Sequence, residues 1–142
     1  MNLAAVYGLP ILFVCENNLF SSHLDIELRQ PSDRIGRYGE AHRMRTRTVD
    51  GNDVLAVEAA TAALVGESRT GGGPALLEAV TYRFRGHVGP KEDIDVGVHR
   101  RMEDVAAWKH RCPIRRLSEG LIAAGAASAV QISALEHEVA AE

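Results

Sequence analysis

RTRTVDGNDVLAVEAATAALVGESRTGGGPALLEAVTY, residues 45–82, decides the fold. Residues 45–49 form a short strand candidate. Asp50-Gly51-Asn52-Asp53 is a turn that hands over to a helix. Asn52 or Asp53 caps that helix, because a short side-chain oxygen can accept one of the unpaired amides of the first turn. Val54, Val57, Thr61 and Leu64 then recur at helical spacing. Thr70-Gly71-Gly72-Gly73 ends the helix, Pro74 starts the next element, and residues 75–82 read as a second buried strand. Strand, helix and strand joined by short turns predict an α/β fold with a parallel sheet.

Working outward, residues 9–15 are an apolar run of strand length, and the run predicts a strand buried on both faces. It closes in the polar loop Glu16-Asn17-Asn18. Residues 19–31 have no clean period and read as a long loop. Ser32 is a cap candidate for a helix reaching about Arg43, weakened by Gly36 and Gly39. Residues 2–8 read as the last turns of a helix ended by Gly8, with no capping residue in front, as expected of a segment cut from a longer chain. Beyond Tyr82 a loop rich in glycine and charge runs to about Val98. Helices follow: one over 102–109, and one opened by Pro113 with the stripe Ile114, Leu117, Leu121 and Gly125 at its end. The last is opened by the capping box Ser128-Ala129-Val130-Gln131 and carries Ile132, Leu135 and Val139. The chain divides into an α/β part, residues 1–100, and a helical part, residues 101–142.

The bulk composition narrows the function classes. With 142 residues, 46% hydrophobic and 25% charged, this is an ordinary folded domain. A net charge of −3 gives no reason to bind nucleic acid or an anionic membrane. No apolar run reaches the roughly 20 residues that cross a bilayer. Cys15 and Cys112 are too far apart in sequence for a zinc pattern or a disulfide framework, which fits a reducing cytoplasm or matrix.

In open α/β sheets, ligands sit beyond the carboxyl ends of the strands. Two polar loops leave such ends, 16–20 and 83–97. Asn17 and Asn18 offer amide oxygens, which suit magnesium when phosphate and water complete its shell. Taken alone, Asn-Asn in a loop is an ordinary turn. Arg83, Arg85 and His87 offer forked donors and an imidazole to an anion. On spacing alone a solvated basic loop is the favoured reading.

The order of these stretches settles more. Leu9-Pro10-Ile11-Leu12-Phe13-Val14-Cys15-Glu16-Asn17-Asn18 resembles the end of the thiamine-diphosphate motif in alpha subunits of pyruvate, branched-chain 2-oxo acid and acetoin dehydrogenases. Asp50-Gly51-Asn52-Asp53-Val54 is similar to that family's next recurring turn. Thr81-Tyr82-Arg83-Phe84-Arg85-Gly86-His87 resembles its active-site loop, and Pro113-Ile114 its carboxy-terminal part. The resemblance implies a thiamine-diphosphate-binding sheet, with Asn18 giving magnesium its side-chain oxygen and Phe20 its main-chain carbonyl. It implies that His87 contacts the diphosphate beside the reacting carbon, and that Arg83 orders the loop and aids cofactor binding.

It further implies an oxidoreductase subunit that decarboxylates a 2-oxo acid or cleaves acetoin and passes the acyl group to a lipoyl disulfide. The partners implied are a beta subunit carrying the cofactor-activating glutamate, in an alpha2-beta2 assembly, and a lipoyl-bearing acyltransferase, all in a bacterial cytoplasm. The family's Gly-Asp-Gly, with its magnesium carboxylate, and its amino-terminal arginine and tyrosine are not in this sequence. A truncated alpha subunit, inactive alone, is therefore the expectation, with a non-catalytic fragment acting in subunit association as the alternative. Val88 replaces the regulatory serine of some members.

Other features have plainer readings. Gly71-Gly72-Gly73 follows a helix and lacks Lys-Ser/Thr, so it is a helix end rather than a phosphate loop. His23, His42, His99, His110 and His137 share no metal-ligand spacing. The arginines between Arg29 and Arg47 mark a solvated or subunit-facing surface. Asp93 and Asp95 do not make an acid/base pair on spacing alone. Trp108 reads as a packing anchor. A generic nucleotide-binding domain would need a Gly-rich strand-to-helix turn, which the sequence lacks.

Overall fold

The computed structural model describes all residues except 23, 89–93, 96 and 97, and only the backbone at 94, 95, 98 and 99. The readings of His23 and Asp93 lie outside the described residues, as do the side chains of Asp95 and His99.

The chain opens with α1 (Asn2–Val6), which Gly8 closes at φ +60°. Strand β1 (Leu12–Asn17) follows, then a tight hairpin of β2 (Phe20–Ser21) and β3 (Leu24–Asp25). One-turn α2 (Ile26–Arg29) and short α3 (Arg37–Ala41) lead to β4 (Arg45–Asp50). Helix α4 (Val54–Glu67) and a wide turn over Ser68–Gly72 lead to β5 (Ala75–Val80). A second hairpin, β6 (Ile94–Asp95) and β7 (Val98–His99), precedes α5 (Met102–His110), α6 (Pro113–Ala123) and α7 (Ala129–Ala141).

The expected parallel α/β architecture is present. Strands β1, β5 and β4 lie in that order, both pairs parallel, with Leu12 and Arg45 both in register with Ala75. Central β5 is buried from Ala75 to Ala79, as a strand covered on both faces must be. Helix α4 crosses from β4 to β5 and packs Ala60 and Leu64 on Ala75 and Leu77, with Leu12 and Val49 alongside. Burying Leu64 or Leu77 stabilises the fold by roughly 1.5–3 kcal/mol each. Asp53 is the cap of α4, accepting from the Ala56 amide at 3.0 Å.

Three expectations fail. The long loop read over 19–31 instead holds the β2–β3 pair and one-turn α2, capped by Asp25. The strand read over 9–15 starts at Leu12, because the Leu9 amide donates to Ala4 and the Ile11 amide to Leu9 in the turn after α1. Nor is it buried on both faces. As an outer strand, β1 packs Leu12 against the core under α4 and leaves Val14 59% exposed. The helix expected from Ser32 to Arg43 shrinks to α3. The Ser32 hydroxyl accepts from the Arg34 amide in a turn, and the Ile35 and Gly36 amides donate to the Glu78 carboxylate rather than to main-chain carbonyls, so the helix starts only after Gly36. Arg43, at φ +54°, ends the element.

The carboxy-terminal helices follow the sequence signals. Pro113 occupies the first turn of α6, Gly125 lies past its end at φ +67°, and both bonds of the Ser128–Gln131 capping box form. Asp50 anchors this part to the sheet, accepting from Arg116 at 2.8 Å and pairing with Arg111 at 2.9 Å. Asp53 accepts from Arg116 at 3.2 Å. The stripes of α6 and α7 line one apolar groove of about 640 Å³. Neither helix has a fully buried residue. Among the described residues no helix is long and apolar enough to cross a membrane.

Candidate functional site

β1 ends at buried Asn17, whose side chain organises the loop beyond it. Its Nδ2 donates to Glu78 Oε1 at 2.7 Å and to the Asp33 carbonyl at 2.9 Å. Its Oδ1 accepts from the Leu19 amide at 3.1 Å. The Asn18 Oδ1 accepts from the Phe20 amide, also at 3.1 Å. Two overlapping Asx turns thus fold the Asn17–Phe20 loop back, with Leu19 at φ +66° between them. The Leu19 carbonyl accepts from the Ile26 amide at 2.8 Å, which fastens the loop to α2.

The second loop leaves neighbouring β5. The Thr81 amide extends the ladder to the Asn17 carbonyl at 2.9 Å. Buried Tyr82 stacks on Trp108, ring centres 5.4 Å apart, and meets the Phe20 ring edge-on at 6.0 Å. Trp108 is the packing anchor expected. The Arg100 guanidinium lies 5.3 Å from the Tyr82 ring centre and donates to the Arg83 carbonyl. Burial pushes the Tyr82 hydroxyl above its ordinary value, against the pull of Arg100.

The two loops meet at Ser22. Its carbonyl accepts from the Arg83 guanidinium at 2.8 Å, and its hydroxyl lies 3.4 Å from His87 Nε2. Asn18 and Phe20 lie just before Ser22 on one loop; Arg83 and His87 lie on the other. The structure therefore brings the expected site residues to one end of the sheet. His87 is exposed and Asn18 half-buried. A crevice of about 790 Å³ opens alongside, lined by Leu19, Phe20, Tyr82, Arg100, Asp104 and Trp108 among others. Ser22 itself, at φ +53°, escaped the sequence reading, since no turn signal marks it.

Glu78 also escaped it. This carboxylate is 0% exposed in the middle of β5. Burial alone would raise it. The Ile35 and Gly36 amides, Asn17 and Thr48 donate to it at 2.7–3.0 Å and hold it below the usual carboxylate range. It is ionised at neutral pH.

The donor set fits part of a magnesium diphosphate. Asn18 has an amide oxygen and Phe20 a main-chain carbonyl, both neutral and near one another. Arg83 and His87 bring cationic and proton-donating groups across from them. Among the described residues no group of three or more His, Cys, Asp or Glu could hold a metal. A carboxylate ligand, phosphate and water would have to complete the shell.

Comparison with known proteins agrees with the motif order. A family profile described as "Dehydrogenase E1 component" matches residues 1–142. The alpha-3 subunit of the chloroplastic pyruvate dehydrogenase E1 component from Arabidopsis thaliana is 38% identical over 142 residues, 98% of this chain and 32% of that protein. The pyruvate dehydrogenase E1 component subunit alpha of Porphyra purpurea is 34% identical over 139 residues, covering 98% of this chain and 39% of that protein. The alpha subunit of acetoin:2,6-dichlorophenolindophenol oxidoreductase from Bacillus subtilis is 44% identical over 87 residues, 61% of this chain and 26% of that protein. The chain spans about a third of the length of these relatives.

Proposed function

Because the chain belongs to the dehydrogenase E1 component family, we propose that it is the magnesium- and diphosphate-holding alpha part of a thiamine-diphosphate-dependent dehydrogenase. The substrate class is pyruvate, a related 2-oxo acid, or acetoin, with a lipoyl disulfide as acceptor. The observation that carries this reading is the meeting of the two loops at Ser22. It brings the amide-bearing and the cationic loop to one end of a parallel sheet, where ligands of such sheets bind.

Thiamine diphosphate, when bound, supplies the carbanion-stabilising chemistry. This chain's residues hold and orient. Asn18 Oδ1 and the Phe20 carbonyl would ligate magnesium. Arg83 braces the second loop against the first through Ser22, and helps neutralise the diphosphate. His87 would contact the diphosphate, and its imidazole would relay a proton between solvent and the reacting groups. The cofactor-activating glutamate would come from a beta subunit in an alpha2-beta2 assembly, and a lipoyl-bearing acyltransferase would receive the product. A second reading, a non-catalytic part that acts in subunit association, is favoured by the neutral donor set and by exposed Leu3, Val6, Tyr7 and Val14.

Calorimetric titration with thiamine diphosphate and magnesium, of the chain alone and then mixed with its beta subunit, separates the two. Saturable heat in the mixture, lowered at least about tenfold in affinity by His87→Ala, is the expected result. No heat in either case leaves the association reading.

A further inference from the structure

We propose that Glu78 is a positioning residue for the metal-binding loop: a buried anion that acts through Asn17 to hold Asn18 and Phe20 in place. The purpose assigned to it rests on the cofactor reading above; its test does not.

A carboxylate inside a sheet is expensive to bury, and an apolar residue of similar volume would serve packing as well or better. Glu78 sits between Leu77 and Ala79 in the most buried strand of the molecule, yet carries a charge. Its four donors are all neutral, two to each oxygen. They come from the end of β1, the backbone before α3, and β4, so one side chain draws three segments together. The close approach is built in at Gly36: a Cβ there would lie 2.9 Å from Thr46 Cγ2 and 3.3 Å from Glu78 Oε2.

What the charge adds is direction. An ionised carboxylate only accepts hydrogen bonds. Against it, the Asn17 amide must present its NH2 group, which turns Oδ1 toward the Leu19 amide. Flipped, Asn17 would face the Leu19 amide with a donor, and the first Asx turn would open. The second turn, Asn18 Oδ1 to the Phe20 amide, is nested on the first and contains both expected magnesium donors. A neutral amide at position 78 could face Asn17 with either end, and would leave the Asp33 carbonyl as the one acceptor on Nδ2 that selects this orientation.

The test is amide hydrogen exchange of the chain in the absence of cofactor. Phe20 reports the loop, because its acceptor is Asn18 rather than Asn17 or Glu78; Leu77 reports opening of the sheet. Glu78→Gln should speed exchange at Phe20 about tenfold beyond any change at Leu77, the effect of one lost neutral hydrogen bond. Thr48→Val, which removes a donor from the oxygen remote from Asn17, should shift both amides equally. Should Glu78→Gln fail to fold, Asn17→Leu breaks the relay and leaves Glu78 three donors, with the same excess expected at Phe20. Equal changes at Phe20 and Leu77 in the folded variant overturn the proposal. Because the measurement contains no thiamine diphosphate, a failed cofactor titration leaves its outcome intact.

Discussion

Asn52 carries more of the structure than its place in a turn suggests. It is 1% exposed. Its Nδ2 donates to the Arg111 carbonyl at 2.9 Å, its Oδ1 accepts from the Thr81 hydroxyl at 2.7 Å, and its amide donates to Asp50 at 3.0 Å. The side chain thus joins the end of β5 to the corner between α5 and α6, while the main-chain amide holds the end of β4. Asn52→Ala leaves the half-buried Thr81 hydroxyl and the Arg111 carbonyl short of a protein partner. A loss of about 2 kcal/mol is expected, read as a lower urea midpoint with unchanged slope. The sequence offered Asn52 only as an alternative helix cap. Nothing local shows that its amide is spent on residues 29 and 59 positions away.

Between the two last helices, α7 is the one more dependent on its own local signals, because every residue of it except Ile132 is exposed. Ser128→Ala removes the capping-box acceptor and should cost about 1 kcal/mol. The loss should show as faster exchange and lower helicity in the first turn of α7, with β5 unaffected. Elements with strong punctuation were legible in the sequence. Asp53 before α4, Pro113 within α6 and Ser128 before α7 each meet a backbone need that arises within a few residues. Where a distant group intervenes, local reading fails. Ser32 looked like a cap, but Glu78, more than forty positions on, claims the amides that a helix would have paired. Glu78 was invisible for the same reason: glutamate is ordinarily a solvent residue, and only the folded sheet supplies its donors. The proposed site residues rest on motif order, not spacing. The contact point between their loops, Ser22, was not.

For the molecule as a whole, stability should fall in acid. Burial would raise Asp50, but hydrogen bonds from Arg111 and Arg116 and the Asn52 amide keep it below the usual range; Glu78 is held down likewise. Both groups are more acidic folded than unfolded, where carboxylates titrate near 4. Their stabilisation is therefore complete above about pH 4–5 and lost as pH drops through the folded values. Urea midpoints should be flat from about pH 7 to 5.5 and decline below about 4. Asp50→Asn should flatten part of that decline, since Asp50 ties the α5–α6 corner to β4.

The two flanks of the sheet are not alike. β4 carries Arg45 and Arg47, both paired with Glu67 of α4, whereas β1 carries Leu12 through Cys15 without a charge. Charged side chains on an outer strand disfavour edge pairing, while a bare strand margin invites it. Copies that stick would do so β1 to β1 across a two-fold axis, and the resulting pair would carry only guarded margins. Growth would halt at two rather than run on into fibrils.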